Sequence, residues 1–238
     1  MFEQKNVPGA FGATGARATA TDSARFMSKV YGWMTGGLAL TAAVSAITLS
    51  DQALLAVVAQ PMIFFPLMLV ELGLVFWLSA RVLSMSLMTA MSVFMGYAAL
   101  NGLTLSLILY AYTGASVAQA FIVTAGAFGA LSLFGYATKR DLSAMGAFMF
   151  VGLVGIIIAS IVNIFMASEA LSFAVSILGV LIFAGLTAFD TQRIKAMGAV
   201  AGPDGVMAQR LALSGALALY LDFINMFIFL LQLMGNRD

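Results

Sequence analysis

Three carboxylates interrupt long apolar stretches of this 238-residue chain: Glu71, Asp190 and Asp222. An ionisable group inside a bilayer costs several kcal/mol unless it is paired or solvated, so each is a candidate for proton or cation chemistry. Glu71 stands in the middle of "LMLVELGLVFW" and reads either as a working acid or as a structural one held by a partner. Asp190 ends the run "LIFAGLTAFD", and Gln192, Arg193 and Lys195 follow at once, which also suits a residue at the membrane interface. Asp222 has no such surroundings, lying twelve residues from Arg210 and twelve from Met234. Asn101, Asn163 and Asn225 are uncharged and suit hydrogen bonds to neighbouring helices.

Other chemistries fall away on residue types. Cysteine and histidine are absent, which excludes disulfides, thiol redox, zinc motifs and a histidine base, and with them serine and zinc intramembrane proteases. Every lysine lies in a tail or loop, so no mid-membrane Schiff base is available, and no phosphate-binding loop occurs. Two aspartates on consecutive helices also suit an intramembrane aspartyl protease. However, "LYLD" before Asp222 offers no glycine that would admit a substrate backbone. The sixteen methionines are scattered, as gap-fillers are, rather than grouped as metal ligands. No enzyme activity and no cofactor are therefore expected.

The elements that must carry these acids are membrane helices. The chain is 62% hydrophobic and 9% charged, with mean hydropathy +1.04; a soluble domain carries roughly a quarter charged residues. Its apolar runs are continuous rather than alternating, which fits helices and not a β-barrel. Seven segments separate, at about 30–49, 62–80, 87–112, 117–137, 144–166, 171–190 and 211–234. Residues 1–24 read as a flexible cytosolic tail and 25–238 as one seven-helix transmembrane domain, an all-α polytopic protein. The net charge of +1 suggests no nucleic-acid partner.

Charge placement fixes the count and the expected orientation. With the N-terminus in the cytosol, seven alternating spans put Lys5, Arg17, Arg25, Lys29, Arg81, Lys139, Arg140, Arg193, Lys195 and Arg210 on the cytosolic side. Only Arg237 falls outside, as the positive-inside bias predicts. Small-residue pairs, Gly32 with Gly36 and Ala125 with Gly129, suit close helix approach.

Spacing alone does not bring Asp190 and Asp222 together. Asp190 is five residues from Lys195 and Asp222 is twelve from Arg210. If those basic residues lie at one depth, the acids differ by seven residues, about 10 Å. The seventh segment would have to be shifted along its axis for them to meet.

Four stretches resemble signatures of the Bax inhibitor family, in the family's order: "NGLTLSLI", "TKRDLSAMGAF", "GLTAFDTQRIK" and "ALYLDFINMFIFLLQLMG". The likeness covers the chain after about residue 25 and is closest to the plain bacterial inner-membrane type. It implies a central seventh helix surrounded by six others, and a hydrogen-bonded pair of Asp190 and Asp222 toward the cytosolic side. It also implies a pH-dependent calcium leak. Two carboxylates in one low-dielectric site cannot both ionise cheaply, so such a pair shares a proton. The same two acids would be weak calcium ligands, with Asn225, backbone carbonyls and water completing the shell. Arg81 is a candidate basic partner, about one residue off the register the resemblance suggests, and equally suits a plain cytosolic anchor. Partners implied are the lipid bilayer, calcium or protons, and a membrane-bound quality-control protease if the protein is instead a non-conducting regulator of stress responses.

Overall fold

The computed structural model describes residues 20–201 and 204–236. They form eight helices and, among the described residues, no strand: α1 (Ala20–Ser50), α2 (Gln52–Val58), α3 (Pro61–Arg81), α4 (Leu87–Tyr110), α5 (Gly114–Ala137), α6 (Ser143–Met166), α7 (Glu169–Ala201) and α8 (Val206–Met234). Seven of these are long and apolar enough to cross a membrane. The eighth, α2, fills a break that composition marked only as polar. Asp51 starts it by accepting from the Ala53 and Leu54 N–H groups. Ser86 and Thr113 cap α4 and α5 in the same way, and Pro61 occupies the first turn of α3, where its missing N–H costs nothing.

Two boundaries differ from the apolar runs, for one physical reason: a helix need not stop where its hydrophobic stretch does. Residues 20–24, assigned to the tail by composition, are the first turns of α1, while 1–19 lie outside the described residues. More consequentially, α7 runs eleven residues past Asp190 to Ala201. That extension is held by burial: Thr191 and Ile194 are buried, and Gly198 lies against the ring of Phe26. Asp190 is therefore a mid-helix residue.

The seventh span, α8, is the central one. It packs against α7, α1, α5 and α4, and buried residues recur along its whole length, from Ala208 to Leu231. Thr41 ties this centre together. Its hydroxyl meets Tyr220 of α8 at 2.7 Å and donates to the Ala98 carbonyl of α4 at 2.8 Å. By contrast, α3 packs chiefly on α4 and α6 chiefly on α7. Their outer faces carry Phe65, Phe76 and Trp77, and Phe148, Ile158 and Phe165, all exposed. So much contiguous apolar surface is a lipid-facing surface.

The basic residues gather at one end of the bundle, where the loops are stitched. Lys29 pairs with Asp204 at 3.1 Å, Arg210 donates to the Leu83 carbonyl, Gln192 to that of Arg140, and Lys195 to that of Tyr136. Lys5, Arg17 and Arg237 lie outside the described residues. The small-residue pairs named above are not where helices touch. A Cβ added at Gly32 or Gly129 meets nothing within 4 Å, and one at Gly36 reaches only the end of Met95. The close approaches are made by other glycines, above all Gly135 against the Ala188 backbone and Gly102 against the Thr41 carbonyl.

Candidate functional site

Helices α7 and α8 form an antiparallel pair whose register sets the depth of both acids. Gly215 of α8 rests on Ile194 of α7, Gly179 of α7 lies under Phe229 of α8, and Ser176 donates to Gln232 at 2.9 Å. These contacts place Asp190 level with Ala218 and Asp222 level with Leu186. The offset is four residues, about 6 Å or one helical turn. The seven-residue mismatch expected from the basic markers shrinks because Arg210 and Lys195 are not level; Arg210 faces the neighbourhood of Gly198.

Both acids line one cavity of about 780 Å³, open to the side, between α3, α6, α7 and α8. Its walls are mostly apolar, with Val75 and Ser79 from α3 and Phe150, Ile157 and Ile161 from α6. Polar groups converge on the α7–α8 side: Asp190, Arg193, Asp222 and Asn225. Asp222 is 4% exposed, and its Oδ2 is buried with no hydrogen-bond partner. The two acids that the resemblance pairs therefore face one cavity.

Asp190 has a different partner. The Arg193 guanidinium lies 3.5 Å from its Oδ1, one turn further along α7. Arg193 had been legible only as a cytosolic charge, although the three-residue spacing that puts it on the face of Asp190 is in the sequence. Arg81 is exposed at the end of α3 and does not line the cavity, so the basic group beside the acids comes from α7. Asn225 lines the cavity, but its amide nitrogen donates to the Leu221 carbonyl of its own helix rather than to a neighbour. Asn163 does bond an adjacent helix, donating to Ser172 at 2.6 Å. Asn101 Oδ1 is buried without a partner.

Glu71 belongs to another region of the bundle. The Thr104 hydroxyl of α4 lies 2.9 Å from Oε1 and 3.2 Å from Oε2, so the acid is held against α4, away from the cavity of Asp190 and Asp222. Thr104→Val should destabilise the protein by about 0.6–1.7 kcal/mol, the range for side-chain hydrogen bonds within membranes. Thermal unfolding in detergent measures this; an unchanged transition would mean that Glu71 finds another donor.

Among the described residues no group of three acids, histidines or cysteines comes together as a metal cluster. For a divalent cation the cavity offers two carboxylates and the Asn225 Oδ1, beside one guanidinium. That donor set suits a cation in transit and not a resident metal.

Comparison with known proteins agrees with this architecture. The family model described as "Inhibitor of apoptosis-promoting Bax1" matches residues 23–238. An uncharacterized protein of Deinococcus radiodurans is 48% identical over 213 residues, covering 90% of this chain and 91% of that one. The inner membrane protein YbhL of Escherichia coli is also 48% identical, over 214 residues, 89% of this chain and 92% of YbhL. An uncharacterized protein of Rickettsia prowazekii is 43% identical over 213 residues, 90% of each chain. With seven apolar helices, α8 central among them, this chain belongs to the Bax inhibitor family.

Proposed function

We propose that this protein is a pH-sensitive leak channel for calcium in the bacterial inner membrane, controlled by a proton shared between Asp190 and Asp222. The observation that carries the reading is Asp222: a buried carboxylate with an unpartnered oxygen, on the same cavity as a second carboxylate. With a single proton between them the pair is tolerable. Fully ionised, two charges at an effective dielectric near 20 repel by roughly 2–4 kcal/mol over separations of about 4–8 Å. That repulsion acts across the α7–α8 contact, the most extensive in the bundle, and favours a state in which the helices separate or a cation enters between them. Deprotonation therefore opens the path and protonation closes it. The inner-membrane location follows YbhL, and the basic end of the bundle faces the cytosol by the positive-inside bias.

The test is calcium entry into liposomes containing the purified protein and a trapped indicator. Influx should rise roughly tenfold from acidic to mildly alkaline pH, about 1.4 kcal/mol of the repulsion being expressed at the barrier. Asp222→Asn, which removes the charge while keeping the shape, should flatten that profile. Absence of flux at every pH from a protein with native helical content would sink the channel reading and leave a non-conducting regulator of another membrane protein.

A further inference from the structure

A second cavity lies at the other end of α7, and the two together outline a path. It measures about 430 Å³ and is lined by Glu169, Asn163, Ser172, Ser176 and Gln232 among others, a largely polar vestibule at the end of the bundle away from the basic loops. The vestibule and the acid cavity have two lining residues in common, Ser160 and Phe229. The Ser160 hydroxyl donates to the Ile156 carbonyl of its own helix at 2.7 Å, which leaves its single oxygen as the only polar atom these two shared side chains offer. The larger of the two shared residues is Phe229, whose ring borders both spaces. Gly179 provides its seat, because a Cβ there would stand 2.5 Å from the ring. Phe183 stacks beside it, with centroids 6.0 Å apart and planes 29° from parallel.

We propose that Phe229 is a hydrophobic gate between the Glu169 vestibule and the acid-lined cavity, so that a cation's route runs between α6, α7 and α8 past this ring. The proposal rests on the channel reading for its cargo but not for its geometry. Polar groups stand on both sides of the ring, while its own neighbours Gly179 and Phe183 offer a cation nothing. A constriction of that kind closes by excluding water, without any charged latch.

The chain's lack of cysteine makes accessibility a clean readout. A single cysteine at the cavity position, Asn225→Cys, is probed with a charged, membrane-impermeant methanethiosulfonate applied from the Glu169 face of oriented vesicles. Ser172→Cys in the vestibule serves as the reactive reference. With Phe229 present the cavity cysteine should be protected; Phe229→Ala should raise its modification rate about tenfold or more, as expected when a dewetted constriction is removed. Gly179→Ala, which pushes the ring from its seat, should act in the same direction, and covers the case in which Phe229→Ala fails to fold. Equal labelling with and without the ring, in both backgrounds, would overturn the gate. Labelling that responds to Phe229 while calcium still fails to flow would leave the gate standing and remove the calcium reading instead.

Discussion

Gly135→Ala should destabilise the bundle by about 2 kcal/mol, although alanine is the better helix former. Helix propensity gains up to about 1 kcal/mol from the change. Overpacking a tight contact costs about 3 kcal/mol, and this contact is backbone: the new methyl would fall on the Ala188 carbonyl oxygen, with its carbon 2.9 Å and Cα 3.0 Å away. A side chain could rotate aside; a carbonyl inside a helix cannot. α5 and α7 must therefore move apart, and the point of separation lies two residues from Asp190. The same substitution should blunt the pH response of calcium influx by moving Asp190 relative to Asp222. Gly129→Ala is the matched control, since it lies on the same helix and meets nothing within 4 Å. Thermal unfolding in detergent should separate the two variants. Equal transitions would show that the α5–α7 contact is looser than described.

At alkaline pH, where both acids are already ionised, Arg193→Gln should raise the calcium leak several-fold. The guanidinium lies 3.5 Å from Asp190 and lines the same cavity, where its positive charge opposes an entering cation and neutralises one of the two acids. An unscreened pair at that distance would be worth about 5 kcal/mol at an effective dielectric near 20. Arg193 is half-exposed, however, and such pairs are typically worth about 1 kcal/mol or a little more, which sets the size of the effect. A double-mutant cycle identifies the cause: in an Asp190→Asn background, much of the Arg193→Gln effect should vanish because the two residues act on one charge. Additive effects would place Arg193 outside the site's electrostatics.

The architecture was readable because the bilayer imposes a coarse code: length, apolarity and basic ends sufficed for seven spans. The acids could be named because charge is rare in this chain. Their relation could not be read, since depth was inferred from Lys195 and Arg210, and basic side chains on helices that outlast the membrane do not mark a common plane. The helical extension beyond Asp190 is invisible to an apolar count; it is held by Ile194 and Gly198 packing on α8 and α1, contacts that exist only once the bundle has formed. The same holds for the glycines. Gly32 and Gly36 have the right spacing but face open space or a flexible methionine, whereas Gly135 is distinguished only by what lies opposite. Arg81 and Arg193 exchanged importance for a related reason. Proximity in sequence to Asp190 signals a partner on one helix face, while a partner from α3 requires knowing how that helix is rotated.

The unbroken course of α7 past Asp190, and of α8 past Asp222, sets what the proposed channel would distinguish. Many transporters coordinate ions with carbonyls freed where a membrane helix unwinds. Here no unwinding occurs beside either acid, so the neighbouring carbonyls are committed to intrahelical bonds and only side chains are offered. Calcium takes roughly six to eight oxygens, so most of its shell in this cavity must be water carried along with it. A hydrated ion is sorted by valence and not by ionic radius. Strontium and barium should therefore pass nearly as readily as calcium, while monovalent ions are discriminated only as strongly as two carboxylates and one guanidinium allow.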